Sequence, residues 1–224
     1  MIESFADEAA LAAAAAAATV AALETGLAAR GHASLIATGG RSPAPVYDRL
    51  SGADLDWGRV TVSLSDDRFV PTTSPDSNER LVRERLLRDR AAAATFLPLY
   101  SNAPTPEACA EIAEPPLRAL GAFDMLLLGM GEDGHVASLI PGSPVMEAGL
   151  DPRGERYVIG VPAGVGAPPV ARISLTLPAL LAARATLVLI RGEVKHQIVA
   201  HGSGGPVHAL IKQAKAPLRV LWAP

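Results

Sequence analysis

The sequence predicts an α/β protein with a mostly parallel twisted sheet covered by helices on both faces. Short apolar runs alternate with segments of helical periodicity along the whole chain, which is typical of strand–crossover–strand units. Hydrophobic residues make up 49% and charged residues 19% of the 224 residues, a globular composition. Polar clusters follow several of the apolar runs, where sheets of this class bind their ligands.

The first element is a helix rich in alanine. Val20, Leu23 and Leu27 recur at helical spacing, and alanine is the best helix former. The acids Glu3 and Asp7 precede this segment without any Lys or Arg, so it does not resemble a secretory signal. We also expect no run apolar and long enough to span a membrane. A cytoplasmic protein is predicted.

The remaining elements follow in alternation. Strands are predicted at 34–38, 60–66, 95–100, 123–130, 157–162, 173–177, 186–190 and 219–223. Helices are predicted at 43–50, at 78–87, around Cys109 and at 206–213. Since there is no internal repeat and no long linker, residues 1–224 are interpreted as a single domain.

Charge and cysteine content exclude several functions. The net charge of −3 includes no basic surplus for nucleic acid or an anionic membrane. The single cysteine, Cys109, can form neither an internal disulfide nor a thiolate metal site. An anionic ligand must therefore be bound by a local cluster of residues.

The segment TGGRSP follows the strand 34–38. Gly39 and Gly40 allow a tight turn and a close backbone approach, while Ser42 and Pro43 suit the start of a helix. Such a turn is either an ordinary strand–helix connection or a phosphate site. The spacing is not that of a Walker A loop.

Asp66, Asp67 and Arg68 end the next strand, and Ser77 or Asn78 can cap the following helix. The two adjacent acids are either solvated turn residues or part of a ligand site.

The segment GMGEDGH contains a G-x-G-x-x-G spacing at Gly129, Gly131 and Gly134. We interpret it as a tight loop that projects His135 beside Asp133. A dinucleotide site is disfavoured because the motif lies in mid-chain and LIPGSP leaves little room for a helix.

Arg172 opens the strand 173–177, and Lys195 follows the strand 186–190. Each is either a surface cation or, if the two converge on one pocket, a phosphate ligand.

Several segments together resemble the 6-phosphogluconolactonase family. TGGRSP is similar to its Ser-Gly-Gly-Ser-Thr-Pro loop, and SDDRFVPTTSPDSN to its Asp-Glu-Arg-x-Val-Pro…Ser-Asn segment. LLGMGEDGHVASLIPG, ARISLTLPAL and RGEVK resemble later motifs in the family's order. The chain departs from the pattern at Arg41 (usually Ser), Asp67 (usually Glu) and Ile140 (usually Phe).

The resemblance implies a Rossmann-like fold of the sugar-phosphate isomerase/deaminase superfamily. It also implies hydrolysis of 6-phosphoglucono-δ-lactone without a metal or a nicotinamide cofactor. We expect a monomer or small homo-oligomer. His135 would be the general base, oriented by Asp133 or a backbone carbonyl. The implied substrate- and phosphate-binding residues are Gly39, Gly40, Arg41, Ser42, Asp66, Arg68, Asn78, Arg172 and Lys195.

Two alternatives remain at this point. An amino-sugar-phosphate deaminase would use a glutamate five residues after the histidine, a position that Ile140 occupies here. A sugar-phosphate sensor on the same fold would need a DNA-binding module, and no basic helical segment precedes residue 30.

Overall fold

The computed structural model describes residues 2–224. The strands are β1 (Ile2–Ser4), β2 (Ala33–Ala37), β3 (Val60–Leu64), β4 (Asp66–Arg68), β5 (Thr95–Phe96), β6 (Met125–Gly129), β7 (Val158–Val161), β8 (Arg172–Leu175), β9 (Thr186–Arg191) and β10 (Leu218–Ala223). The α-helices are α1 (Glu8–Arg30), α2 (Ala44–Leu50), α3 (Asn78–Arg85), α4 (Pro106–Ala119), α5 (Met146–Leu150), α6 (Leu177–Leu181), α7 (Glu193–His201) and α8 (Pro206–Gln213). Short 3-10 helices lie at Trp57–Arg59 and Asp89–Ala93.

The main sheet has seven strands in the order β1-β10-β9-β6-β2-β3-β5. Every neighbouring pair in it is parallel. All five residues of β2 are buried, as expected for a parallel strand covered on both faces. The predicted α/β class with a mostly parallel sheet is confirmed.

Helix α1 crosses from the edge strand β1 to the central strand β2. The Asp7 carboxylate caps it by accepting from the Ala10 amide at 2.8 Å, and Gly31 ends it at a φ of 78°. Leu11 and Leu23 are buried in the core, and the helix contacts β2, β10 and α2.

The expectation that no apolar run is long enough to span a membrane is wrong for α1. By length and composition this 23-residue helix passes the test for a membrane-crossing segment. Helices that are packed in a protein core pass the same test. Helix α1 packs on the sheet as such a core helix does.

A second, three-stranded antiparallel sheet has the order β4-β8-β7. The predicted strands 157–162 and 173–177 belong to this sheet and not to the main one, and the predicted strand 60–66 divides between the two sheets at Ser65. The Ser65 amide donates to Ala37 O in the main sheet at 2.7 Å, and Ser65 O accepts from the Leu175 amide at 2.8 Å. Helix α4 packs on β7, and a Cβ at Gly160 would collide with its Glu107 backbone.

Three element predictions were inaccurate in smaller ways. The strand predicted at 95–100 pairs only at Thr95–Phe96, and helix α7, directly after β9, was not predicted. Leu177, predicted as a strand end, begins α6. The buried side chains form one core cluster, and the single-domain interpretation stays a prediction.

Candidate active site

The carboxyl ends of four parallel strands meet at one edge of the main sheet. Segments that follow β2, β3, β6 and β9 line a cavity of about 150 Å³ there, together with the first residue of β8. The predicted site residues that line it are Gly39, Gly40, Arg41, Ser42, Asp66, Arg68, Asn78, His135, Arg172 and Lys195. Asp133 is the one predicted site residue that does not line this cavity, although it contacts a residue that does.

His135 and Asp133 form a pair in the loop after β6. The His135 Nδ1 lies 2.6 Å from Asp133 Oδ1, which also accepts from the His135 amide at 3.1 Å. Burial acts to raise the pKa of Asp133, but the amide and ring of His135 outweigh it, so the pKa lies below its usual value. A carboxylate bonded to Nδ1 leaves Nε2 as the nitrogen available for proton transfer.

Glycines allow this loop to fold back on itself. A Cβ at Gly131 would overlap the His135 ring and the Asp133 carboxylate. Gly134 has a φ of 79°, which is unfavourable for other residues, and its carbonyl accepts from the Val207 amide at 3.0 Å. Between residues 131 and 145 no helix begins, which agrees with the interpretation of a tight loop instead of a dinucleotide motif.

The glycine turn after β2 packs on a neighbouring side chain. A Cβ at Gly39 would overlap the Asn78 amide group, and Gly40 has a φ of 97°. The Asn78 Nδ2 donates to Asp66 O at 2.8 Å. The turn and the first residue of α3 are therefore in direct contact.

Asp66 and Asp67 have different roles in this structure, and neither is a solvated turn residue. Asp66 is 6% exposed at the cavity, and its carboxylate accepts from Ser138 Oγ at 2.6 Å and Ser65 Oγ at 3.0 Å. The fully buried Asp67 accepts from the amides of Asn78 at 2.6 Å and Glu79 at 3.0 Å.

Burial raises the pKa of Asp67 to about 6, against the effect of the amides that donate to it. This carboxyl group attaches the N-terminus of α3 to β4. Of the two predicted caps, Ser77 and Asn78, it is Ser77 that caps α3. Its Oγ accepts from the Arg80 amide at 3.2 Å.

Arg68 and Arg172 lie opposite each other on the antiparallel pair β4–β8. Arg68 Nη1 donates to Asn78 Oδ1 at 2.8 Å, and Arg172 Nη2 donates to Pro168 O at 3.0 Å. Within residues 2–224 the buried Nε of each has no hydrogen-bond partner. Burial, reinforced by the Arg68 charge, lowers the pKa of Arg172, against the effect of Asp66. Buried cations with unused donors favour an anionic ligand.

Lys195 approaches the cavity from the first turn of α7. Burial lowers the pKa of its ammonium group, and the charges of Arg41 and Arg191 act in the same direction. Glu132, next to Asp133 in the loop after β6, opposes them. Lys195 is thus a half-buried cation in a positively charged region.

Sequence reasoning missed two supports of the site. Ser138, three residues after His135, is fully buried and joins that loop to Asp66. Tyr47 of α2 accepts from the Thr38 amide at 2.8 Å and donates to Thr38 O at 2.6 Å, directly before the glycine turn. Their spacing carried no separate signal, because Ser138 contacts a residue 72 positions away and Tyr47 a residue nine positions away.

The structure also bears on metal binding. Among the described residues no group of three or more His, Cys, Asp and Glu side chains could hold a metal ion. The expected independence from a metal and from a cofactor stays a prediction.

Comparisons with known proteins give concordant matches. A family model described as glucosamine-6-phosphate isomerases/6-phosphogluconolactonase matches residues 6–222. A 6-phosphogluconolactonase of Caulobacter vibrioides is 42% identical over 99% of this chain and 97% of its own length. A solved 6-phosphogluconolactonase of Shewanella baltica matches with a TM-score of 0.91 at 33% identity, over 100% of this chain and 97% of that one. A monomeric glucosamine-6-phosphate deaminase has the same fold, with a TM-score of 0.80 at 17% identity over 99% of this chain and 96% of its own.

Proposed function

The chain belongs to the glucosamine-6-phosphate isomerase/6-phosphogluconolactonase family, and from this premise we propose that it hydrolyses 6-phosphoglucono-δ-lactone to 6-phosphogluconate in the pentose phosphate pathway. The observation that carries the proposal is the His135–Asp133 pair, with its 2.6 Å contact, at a cavity that Arg68 and the buried Arg172 also line. A lactone is an activated ester. Its hydrolysis needs a base for water, donors for an oxyanion and a binding site for the phosphate.

His135 is the proposed general base. Asp133 holds Nδ1, so Nε2 accepts a proton from the water that attacks C1 of the lactone. When the bond from C1 to the ring oxygen breaks, the imidazolium returns that proton to the ring oxygen. Positioned proton transfer of this kind contributes about a hundred- to ten-thousand-fold.

Amide groups of the glycine turn after β2 are the proposed oxyanion donors. The amides of Gly131 and Gly134 already donate, to His135 O at 2.9 Å and Gly131 O at 3.1 Å. This favours Gly39 and Gly40, whose turn has no side chain to block a close approach.

The phosphate is bound, in this proposal, by Arg68, Arg172 and Lys195 together with the polar groups of Arg41 and Ser42. Two guanidinium groups supply forked donors and the lysine supplies a point charge. Asp66 and Asn78 accept from or donate to sugar hydroxyls, or hold the surrounding loops.

The rival reaction within the family is deamination of an amino-sugar phosphate. Ile140 is 2% exposed and cannot transfer a proton, at the position where the deaminases use a glutamate. We therefore expect glucosamine 6-phosphate to release no ammonia, whereas the lactone turns over. A sensor without catalytic activity on the same fold would hydrolyse neither compound.

The decisive experiment is a lactonase assay on the purified protein, with and without a chelator. The product is followed by coupled oxidation of 6-phosphogluconate, and spontaneous hydrolysis is subtracted. Turnover insensitive to the chelator supports both the reaction and its independence of a metal. Ammonia release comparable to lactone hydrolysis would overturn the choice of reaction.

The remaining parts of the proposal concern the location of the protein, its oligomeric state and its partners. It acts in the cytoplasm as a monomer or small homo-oligomer, without nucleic acid, membrane or cofactor. The packing of α1 on the sheet and the absence of a basic surplus, at a net charge of −3, support this description.

A further inference from the structure

A second cleft of about 320 Å³ adjoins the cavity and shares Arg41, Ser42 and Lys195 with it. Arg191 and Glu132 also line this cleft. Three cationic side chains therefore line the cleft beside one acidic side chain, and Pro224 completes its wall. Its volume is at the lower end of the range for small-molecule sites, which is about 300–1,000 Å³.

Arg191, the last residue of β9, retains unused capacity as a donor. Its Nη1 donates to Glu8 Oε1 at 2.5 Å. Its Nε is buried and has no hydrogen-bond partner in the part of the chain that the structure describes. One carboxylate therefore satisfies only part of the guanidinium group.

The cations of this cleft exceed what a single phosphate requires. Arg68, Arg172 and Lys195 already line the main cavity. Arg41 lines both spaces, and Arg191 adds a further charge in the second cleft. Burial is the main cause that lowers the pKa of Lys195, and the charges of Arg41 and Arg191 lower it further. Clustered like charges are unfavourable unless an anion binds among them.

We propose that this cleft binds a second phosphoryl group, next to the phosphate of a sugar phosphate in the main cavity. Arg191 holds it as a forked donor, and Lys195 and Arg41, which line both spaces, lie between the two anions. The second group comes either from a sugar bisphosphate or from free inorganic phosphate. The inference concerns binding alone and does not depend on which ester is the substrate.

A calorimetric comparison of glucose 6-phosphate with glucose 1,6-bisphosphate tests the proposal, since the two ligands differ by one phosphoryl group. We expect the bisphosphate to bind wild-type protein about tenfold more tightly. Arg191→Gln should abolish most of this preference, and Glu132→Gln should increase it. The fluorescence of Trp222 offers a second measurement of binding. Its indole N–H donates at 3.1 Å to the carbonyl of Gly192, a residue that lines the cleft.

Glu8→Gln is the matched control for Arg191→Gln. It breaks the same ion pair but leaves the arginine in the cleft, so the preference for the bisphosphate should persist. If Glu8→Gln and Arg191→Gln lose the preference equally, the effect comes from the ion pair and the subsite is refuted.

Inorganic phosphate distinguishes the two sources. If free phosphate is the occupant, it will bind to protein saturated with glucose 6-phosphate, and Arg191→Gln will weaken this binding. If a sugar bisphosphate is the occupant, free phosphate will not bind, and the second phosphoryl group will bind only when it is attached to the sugar. Equal affinity for both sugar phosphates, with no additional phosphate bound, overturns the proposal. Neither Arg191 nor Glu132 belongs to the proposed catalytic machinery, so a failure of lactone hydrolysis is detected separately in the wild type.

Discussion

The loop Gly129–His135 and the antiparallel sheet β4-β8-β7 line one cavity but are built in opposite ways. The loop is organised by contacts between near neighbours, such as His135 with Asp133 and the Gly131 amide with His135 O. The sheet brings together Arg68 and Arg172 from distant parts of the chain. The loop orients the His135 ring towards the cavity, and the sheet places two guanidinium groups beside the same cavity.

The exposure of the two regions differs accordingly. The His135 side chain is 27% exposed, whereas Arg172 is 3% exposed. The proposed general base has to reach water, and a buried arginine such as Arg172 interacts more strongly with an anion because little water screens it. The comparison therefore predicts that the loop governs kcat and the sheet governs KM.

The largest expected effect is on kcat, in His135→Gln. Loss of the general base should lower kcat about a hundred- to ten-thousand-fold and leave KM for the lactone near the wild-type value. Steady-state kinetics measure both constants. Wild-type turnover in this variant would remove His135 from the mechanism.

Gly131→Ala tests whether turnover depends on the close packing of Gly131 against the His135 ring. The new Cβ would overlap the His135 ring, and displacement of a catalytic group by about 1 Å reduces rates about a hundredfold. Gly52→Ala is the control, since nothing lies within 4 Å of its Cβ position. If kcat is the same in both variants, the close packing around Gly131 is irrelevant to turnover.

The pH dependence of stability should have opposite signs in the two regions. Burial raises the pKa of Asp67 in the sheet from 3.8 to about 6. Its contribution to the free energy of unfolding is therefore fully present below pH 3.8 and is lost as the pH rises through about 6. Across this range the free energy of unfolding should fall by up to about 3 kcal/mol.

The pKa of Asp133 is lowered, so its contribution is present above its ordinary pKa and is lost as the pH falls through the lowered value. Urea denaturation of Asp67→Asn and Asp133→Asn across this pH range, relative to wild type, measures both dependences. Difference curves with the same slope would contradict the contrast.

Arg172→Lys addresses anion binding in the sheet. An ammonium group cannot replace a forked guanidinium, so we expect KM to rise about tenfold or more, with a smaller change in kcat. Arg153→Lys, at a side chain 92% exposed, is the matched control. An unchanged KM in Arg172→Lys would mean that the phosphate is bound elsewhere.

The smallest effect is expected for Ser138→Ala, which removes a contact between the sheet and the segment that follows the loop. Its Oγ donates to Asp66 Oδ2 at 2.6 Å, and a hydrogen bond to a charged group contributes about 1.5–3 kcal/mol. Because Ser65 still donates to Asp66, we expect kcat/KM to fall by no more than about tenfold. Ser203→Ala, at an exposed position, should have no effect, and equal kinetics in both variants would show that the Ser138–Asp66 hydrogen bond does not contribute to turnover.

Much of the fold was predictable because its signals are local. Strand and helix periodicity located most of the main sheet, and the glycine spacing at Gly129, Gly131 and Gly134 predicted a tight loop without a dinucleotide helix. The resemblance of several segments to one family then indicated the reaction. The elements and the loop rest on residues within a few positions of one another, and the reaction rests on short motifs each of which is local, so the amino-acid sequence by itself was sufficient to predict them.

Tertiary structure alone decided the second sheet and the convergence at the cavity. Ser65 accepts from Leu175, Asp67 binds the start of α3, and Arg68 lies opposite Arg172. The apolar runs of β7 and β8 resemble those of parallel strands, since periodicity records which faces are buried and not which strand is the partner. Pairing and convergence depend on contacts between residues far apart in the chain, for which a single sequence carries no local signal.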